Sequence, residues 1–440
     1  MSQNPVFQAL DLFKAGQFEP AADICRAILA SHPADTATNH LLGVIYFRQG
    51  KIAPARELLA KASAARDATA EIHNNYGAVL NTLGQTEAAV AAFNRALALQ
   101  PGYADAYNNL AVIYRSKGQT DAAIETLQRV VALKPEFAEA QTNLRAAYRD
   151  VVPGWHFAMM GDKQRNDAYE AAIGRVVKGR RVLDIGTGAG LLAMMAAHAG
   201  AASVTTCESV ALIAERAREI IALNGLSERI TVVPRRSIEL TLGVGITQHA
   251  EVLISEVFSS GLLHEGVLST IEHAHQQLLT RNSIVIPAAA SAMGYLIGGP
   301  VIENMLFVGK TNGFDLSPFN DFAPPNLAVM LDGVPHDVLS DDAELLRFDL
   351  MKTKMYPMGS RPLSIPVTRA GTCAGILQWI KLELDDQNRY ENRPSAAAHS
   401  SLHWTQILYR FPKLLRVEAG DSIRITVRHD RRQIFIDLVG

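Results

Sequence analysis

The sequence predicts a multidomain chain in three stretches. These are an all-α solenoid of helix pairs over residues 1–150, an α/β unit on a parallel sheet over 155–289, and an antiparallel, β-barrel-like unit over 290–440. Three observations predict it. Gly16, Gly50, Gly84 and Gly118 recur every 34 residues. Beyond Pro153-Gly154, strand-like and helix-like segments alternate, starting with an apolar strand that runs into a glycine-rich turn. From Ala290 onward the apolar residues gather in short β-rich runs with no helical period between them.

The repeat is the firmest of these. Five residues after each glycine comes an alanine, at Ala21, Ala55, Ala89 and Ala123. Pro33, Pro101 and Pro135 keep the same spacing, with Asp67 in the remaining slot, and Tyr46, Leu80 and Tyr114 keep register too. A 34-residue period is that of the tetratricopeptide repeat, one helix pair per unit. Leu110, Ile113 and Tyr114, then Ala123, Leu127, Val130 and Val131, have the helical spacing of buried faces. The glycine suits a turn with positive φ, the alanine a close helix crossing, and the proline the end of the second helix. Stacked pairs present a concave groove, which we expect to hold protein partners; a scaffold without a groove ligand is the plainer alternative. Asn75 and Asn109, at matching positions, would either clamp a peptide backbone or be satisfied on the helix surface.

Composition narrows the class. The formal net charge is −2, so no direct nucleic-acid partner is expected. Cys25, Cys207 and Cys373 lie far apart, which indicates neither a zinc site nor a disulfide framework and fits a reducing compartment. The first residues have no basic and apolar leader pattern, and the apolar run at Leu191–Ala202 is short and broken by His198. A cytoplasmic protein without a membrane segment is expected.

The α/β stretch opens with strand Val182–Gly186, then helix Leu191–Ala199, strand Ala202–Glu208, helix Ala211–Asn224, and strands Ile230–Val233 and Val252–Ser255. Asp184-Ile185-Gly186-Thr187-Gly188-Ala189-Gly190 forms the glycine-rich turn, and Glu208 ends the next strand. Glycines let backbone approach a ligand, and an acidic residue at the second strand's end accepts ribose hydroxyls. Dehydrogenases share such a turn, but Asp184 beside it is unsuited to a pyrophosphate, and the spacing is GxGxG rather than GxGxxG. The reading is a Rossmann-like S-adenosyl-L-methionine methyltransferase domain; a dehydrogenase or a purely structural turn are the alternatives.

Glu256 and Glu265 follow the fourth strand, where open α/β sheets place ligands. Gly261 and Gly266 permit the loop to fold back and bring both carboxylates to one cavity, where they would repel and call for a cation. A guanidinium matches paired carboxylates best. By spacing alone the simpler outcome is that one glutamate caps the helix after Gly266 and the other is solvated.

Beyond these features the chain resembles the protein arginine methyltransferases over about 155–440. Glu256 to Glu265 is similar to that family's double-glutamate loop. Met159-Met160-Gly161-Asp162-Lys163-Gln164-Arg165 with Tyr169 resembles its M-x-x-D-x-x-R-x-x-x-Y helix, and Leu402-His403-Trp404-Thr405-Gln406 its Thr-His-Trp loop. Ile286-Pro287 and Gly313-Phe314-Asp315-Leu316-Ser317 match as well. The chain resembles a single-module, bacterial-like member near the monomethylating and repeat-bearing branches. It departs from the pattern at Val257-Phe258-Ser259-Ser260, where bulky residues are usual, and at Leu402, where Thr is expected.

The resemblance implies roles. Asp184, Gly186 and Gly188 would line S-adenosyl-L-methionine, with Glu208 on the ribose, Arg165 on the carboxylate, and Ser237 and Glu239 near the adenine. Glu256 and Glu265 would clamp a substrate arginine in a protein or peptide, and His403 with Asp162 would take up a proton. Residues 315–337, with four prolines, fall where the family carries a dimerisation arm, which implies a homodimer; an ordinary surface excursion is the plainer alternative. Methylation of another side chain or a small molecule, or a catalytically silent adaptor, are the competing functions.

Overall fold

The computed structural model describes residues 5–352, 355–395 and 404–439. The chain divides into two compact units, Met1–Pro153 and Gly154–Gly440.

The first unit is a run of antiparallel helix pairs: α1 (Pro5–Lys14) with α2 (Phe18–Ser31), α3 (Thr36–Arg48) with α4 (Ile52–Ser63), α5 (Ala70–Thr82) with α6 (Thr86–Leu99), and α7 (Ala104–Ser116) with α8 (Thr120–Leu133). A last helix, α9 (Ala138–Val151), packs on α8. Each repeat glycine has positive φ, from +72° to +76°, so each turn needs the left-handed conformation that glycine adopts without strain. Ala21, Ala55, Ala89 and Ala123 have no exposed surface, as expected at helix crossings. The crossing is tight on the facing helix too: a Cβ at Gly77 would lie 2.7 Å from the Phe93 ring. Asn75 and Asn109 are both bonded within the unit. Asn75 Nδ2 meets His40 Nε2 at 2.8 Å, Asn109 Nδ2 donates to Asn74 Oδ1 at 2.9 Å, and Asn143 Nδ2 donates to Asn108 Oδ1 at 2.9 Å. A ladder of polar side chains therefore links successive first helices.

The second unit begins with α10 (Trp155–Gly161) and α11 (Lys163–Val176). Then come β1 (Arg181–Ile185), α12 (Leu191–His198), β2 (Ser203–Cys207), α13 (Ala211–Leu223), β3 (Ile230–Val233), a small ribbon of β4 (Thr241–Leu242) and β5 (Gly245–Ile246), β6 (Ala250–Ser255), α14 (Val267–His273) and β7 (Leu279–Ile286). The sheet runs β3-β2-β1-β6-β7 with every pair parallel. Strand order reverses between β1 and β6, which opens a crevice at their carboxyl ends.

The β-rich stretch follows without a linker: β8 (Ala289–Gly298), α15 (Pro300–Leu306), β9 (Lys310–Thr311), β10 (Phe314–Asp315), β11 (Asn326–Val329), β12 (Asp337–Val338), β13 (Ala343–Asp349), β14 (Gly359–Pro366), β15 (Gly371–Glu383), β16 (Arg389–Glu391), β17 (Gln406–Val417), β18 (Ser422–His429) and β19 (Ile434–Leu438). The long strands form two antiparallel sheets, β11-β17-β15-β8-β12 with β13 and β16 attached, and β14-β18-β19. Residues 155–289 and 290–440, separated in the sequence reading, fall in one compact unit. The reason is a shared core: Leu183 and Leu253 of the parallel sheet belong to the same buried cluster as Ile376, Ile380 and Trp404.

Candidate active site

The glycine-rich turn follows β1. Gly186, Gly188 and Gly190 have φ of +94°, +50° and +85°. A Cβ at Gly186 would come within 3.1 Å of Val257 Cγ1, so this glycine lets the turn approach the loop after β6. A Cβ at Gly188 would meet nothing within 4 Å, and space is open beside that backbone. Asp184, buried near the end of β1, accepts the Thr206 hydroxyl on Oδ2 at 2.7 Å, while its Oδ1 has no hydrogen-bond partner among the described residues. Burial pushes this carboxyl up to about 7, against the pull of Thr206 and Arg165. Glu208, just past β2, accepts the Gly188 amide at 3.2 Å and the Val210 amide at 3.0 Å.

Arg165 sits in the first turn of α11. Asp162 caps that helix by accepting the Arg165 amide at 3.0 Å. The buried guanidinium donates through Nη2 to Glu256 Oε2 at 2.9 Å and through Nη1 to Asn166 Oδ1 at 2.8 Å. It lies over the Tyr169 ring at 5.1 Å, and its Nε has no partner among the described residues. A residue expected on the cofactor side is thus joined to one expected on the substrate side. Burial pushes the Glu256 carboxyl up to about 7; Arg165 pulls it down and the Glu265 charge pushes it further up. Glu265 reaches solvent, yet desolvation and the nearby Glu208 raise its carboxyl as well.

The loop brings its two glutamates within electrostatic reach by turning at Leu262, a fully buried residue with φ of +67°. A left-handed leucine costs about 1–3 kcal/mol, which its burial and that of Leu263 offset. Helix α14 starts at Gly266 with no side-chain cap, so neither glutamate serves as one.

The antiparallel side supports the loop from outside. Trp404 Nε1 donates to the Phe258 carbonyl at 3.1 Å, Thr405 Oγ1 to Ser260 Oγ at 3.0 Å, and Gln378 Nε2 to the Ser260 carbonyl at 3.2 Å. The Tyr390 hydroxyl donates to Asp162 Oδ2. Sequence reasoning missed Gln378, Tyr390 and the role of Thr405. Gln378 and Tyr390 sit on strands whose pairing brings them here, and no local pattern marks them. Ser237 and Glu239 form a single turn after β3, with Glu239 exposed. Leu402 and His403 lie outside the described residues.

These groups suit a zwitterionic cofactor. The site holds a buried carboxylate oxygen and a buried guanidinium nitrogen, both without partners among the described residues, beside a glycine turn with open space.

Comparison with known proteins agrees with this chemistry. Residues 302–437 match the family model of the arginine methyltransferase oligomerization subdomain. Residues 12–75 and 68–136 match tetratricopeptide repeat models, and 168–276 the model of ribosomal protein L11 methyltransferase. An arginine N(omega)-methyltransferase from Streptomyces achromogenes subsp. streptozoticus is 37% identical over 279 residues, covering 63% of this chain and 76% of the relative. The chain belongs to the arginine methyltransferase family. A second arginine methyltransferase, protein arginine N-methyltransferase 7 of Drosophila melanogaster, is 30% identical over 326 residues, and the chain spans about half its length (47%). In fold, the arginine methyltransferase unit is similar to a Trypanosoma brucei PRMT1 enzyme–prozyme complex with AdoHcy. That match has a TM-score of 0.56 and 21% identity, and covers 66% of this chain and 95% of that one. It is also similar to Arabidopsis thaliana protein arginine methyltransferase 10, with a TM-score of 0.53, 20% identity, and coverage of 64% and 90%.

Proposed function

We propose that this arginine methyltransferase transfers a methyl group from S-adenosyl-L-methionine to a guanidino nitrogen of an arginine carried by a protein or peptide. The observation that carries the reading is the pair Glu256 and Glu265 on one loop at the crevice between β1 and β6, with each carboxyl raised and Arg165 against the first. When bound, the cofactor supplies an electrophilic sulfonium methyl. Arg165 would hold its carboxylate and Glu208 its ribose hydroxyls, with Asp184, Gly186 and Gly188 along it and Ser237 and Glu239 toward the adenine.

Arginine is protonated at physiological pH, so the attacking nitrogen needs a localised lone pair. Glu256 and Glu265 would accept the other N–H groups and draw the positive charge away from that nitrogen. They would also hold it within about 3–3.5 Å of the methyl carbon. The N–C bond would form as the S–C bond breaks, with S-adenosylhomocysteine leaving with the S–C electron pair, and the methylated nitrogen would then release a proton. Asp162, with His403 as the partner that the family resemblance implies, would take up that proton.

The test incubates the protein with methyl-labelled S-adenosyl-L-methionine and, separately, arginine-bearing peptides and free L-arginine, then hydrolyses and separates the products. Methylarginine from peptides is the expected result. Label on free arginine alone, or on another residue, would sink the assignment to protein substrates. Glu256→Gln should cut turnover by at least tenfold, about 1.4 kcal/mol in barrier, while cofactor binding survives. Turnover closer to wild type would rule out the carboxylate clamp.

The repeats would recruit protein partners. The Asn75, Asn109 and Asn143 amides are held in register by their neighbours, which suits them to an extended main chain. A homodimer fits the exposed Phe314, Phe319 and Phe322 in the segment after α15. Three buried, unpaired cysteines suit a cytoplasmic setting, and no described helix is long and apolar enough to cross a membrane.

A further inference from the structure

Tyr390 is 1% exposed and lies on β16, paired opposite Leu382 of β15, far in sequence from both Asp162 and the double-glutamate loop. Its ring is held against Trp404 at 5.3 Å, the same tryptophan that anchors the Phe258 carbonyl of the double-glutamate loop. Its hydroxyl donates to Asp162 Oδ2. The other oxygen of that carboxylate, Oδ1, accepts the Arg165 amide and so caps α11. Both oxygens of one buried carboxylate are therefore committed in different directions, which fixes its plane and with it the first turn of the helix.

Arg165 stands on that first turn. Its guanidinium is bonded to Glu256 by one nitrogen and to Asn166 by another, with Nε left over. Where the guanidinium points decides whether it can serve Glu256 and a bound carboxylate together. Unbroken bonding thus runs from β16 through Tyr390, Asp162 and Arg165 to Glu256.

We infer that Tyr390 is a positioning residue. Its hydroxyl sets the Asp162 cap, and through it the Arg165 guanidinium that holds both the cofactor carboxylate and Glu256. This rests on the functional reading above. No step of the reaction passes through Tyr390 itself. Removing its hydroxyl leaves a buried charged acceptor one bond short and frees the start of α11 to shift. Small displacements of a positioning group weaken binding and catalysis strongly.

The experiment is Tyr390→Phe, which keeps the ring and its packing. Two quantities are read in wild type and variant: the dissociation constant for S-adenosylhomocysteine by calorimetry, and the acid limb of kcat/KM for methyl transfer. The expected result is about tenfold weaker binding or more. The acid limb should also move to higher pH, because Arg165 pulls the Glu256 carboxyl down most, with a smaller pull from the Phe258 backbone. Glu265 and Asp184 also act on Glu256 and stay in place in the variant. A merely structural tyrosine would lower the melting temperature and leave both readouts unmoved. Binding within twofold of wild type, or an unmoved acid limb, overturns the inference. If Tyr390→Phe fails to fold, Asp162→Asn carries the test. It keeps a carbonyl oxygen for the Arg165 amide but loses the charged acceptor for the tyrosine, and unchanged affinity there overturns the inference equally. Wild type that binds no S-adenosylhomocysteine would sink the functional reading, and this inference with it.

Discussion

Glu256 is under opposing pressures, and its chemistry follows from their balance. Burial and Glu265 favour its neutral form, Arg165 favours its charge, and the carboxyl ends at about 7. A clamp on a cationic guanidinium needs the ionised form. In the free enzyme the ionised fraction falls as pH drops through about 7, whereas an ordinary glutamate would stay charged to about 4.3. The acid limb of kcat/KM, which reports the free enzyme, is therefore expected near pH 7. A pH–rate profile checks this, and a limb at or below pH 5 would show that Glu256 is not the controlling group. Glu256 and Glu265 stood out in the sequence through their resemblance to a family loop, since their spacing after a strand favoured a cap and a solvated side chain. Their electrostatic coupling was not legible there, because it depends on a buried left-handed turn at Leu262 that a leucine does not advertise.

At the scale of elements, local and distant demands on glycine separate cleanly. The four repeat glycines occupy positive-φ turns, a property of the local backbone that recurs with the period and can be read from it. Gly375 is different. It sits in β15 at an irregularity between β15 and β17, where a Cβ would lie 1.9 Å from the Tyr409 carbonyl oxygen of the neighbouring strand. Neither atom belongs to a flexible side-chain end, so the backbones would have to part. Gly375→Ala should destabilise the second unit by about 1–3 kcal/mol or more, read as a lower denaturant midpoint. A midpoint equal to wild type would mean that the strands separate freely there. Nothing in the local sequence around Gly375 marks this approach, since strand pairing across the chain creates it. Tyr390 on β16 is another case: a three-residue strand has little pattern of its own, and its partner Asp162 is 228 residues away.

At the scale of the whole molecule, the segment after α15 stands out for its surface. Phe314, Phe319 and Phe322 are 71%, 68% and 79% exposed, with Leu316 beside them. They are carried by the β9–β10 hairpin and the turn at Ser317–Phe322. So much exposed aromatic surface on one excursion is a mark of an association site. If the proposed homodimer forms through this segment, replacing Phe319 and Phe322 together by Asp should give monomers without lowering the melting temperature of the second unit. Sedimentation velocity of both proteins checks this. A wild type that is already monomeric at micromolar concentration would remove the self-association reading.

The repeat solenoid, the parallel-sheet unit and the strand-rich end followed from the sequence by itself, as did Asp184 and Glu208 as candidates, whereas Glu256 and Glu265 were paired only through the family resemblance. Each of the former rests on something short in range: a period, a turn conformation, a charge at a strand end. The tertiary structure decided what joins them. It merged the sheet and the antiparallel strands around one core, set Arg165 against Glu256, tied both glutamates to one electrostatic neighbourhood, and brought Gln378, Tyr390 and Trp404 around the loop. Those relations depend on strand order and on contacts between residues far apart in the chain, which no spacing along the sequence encodes.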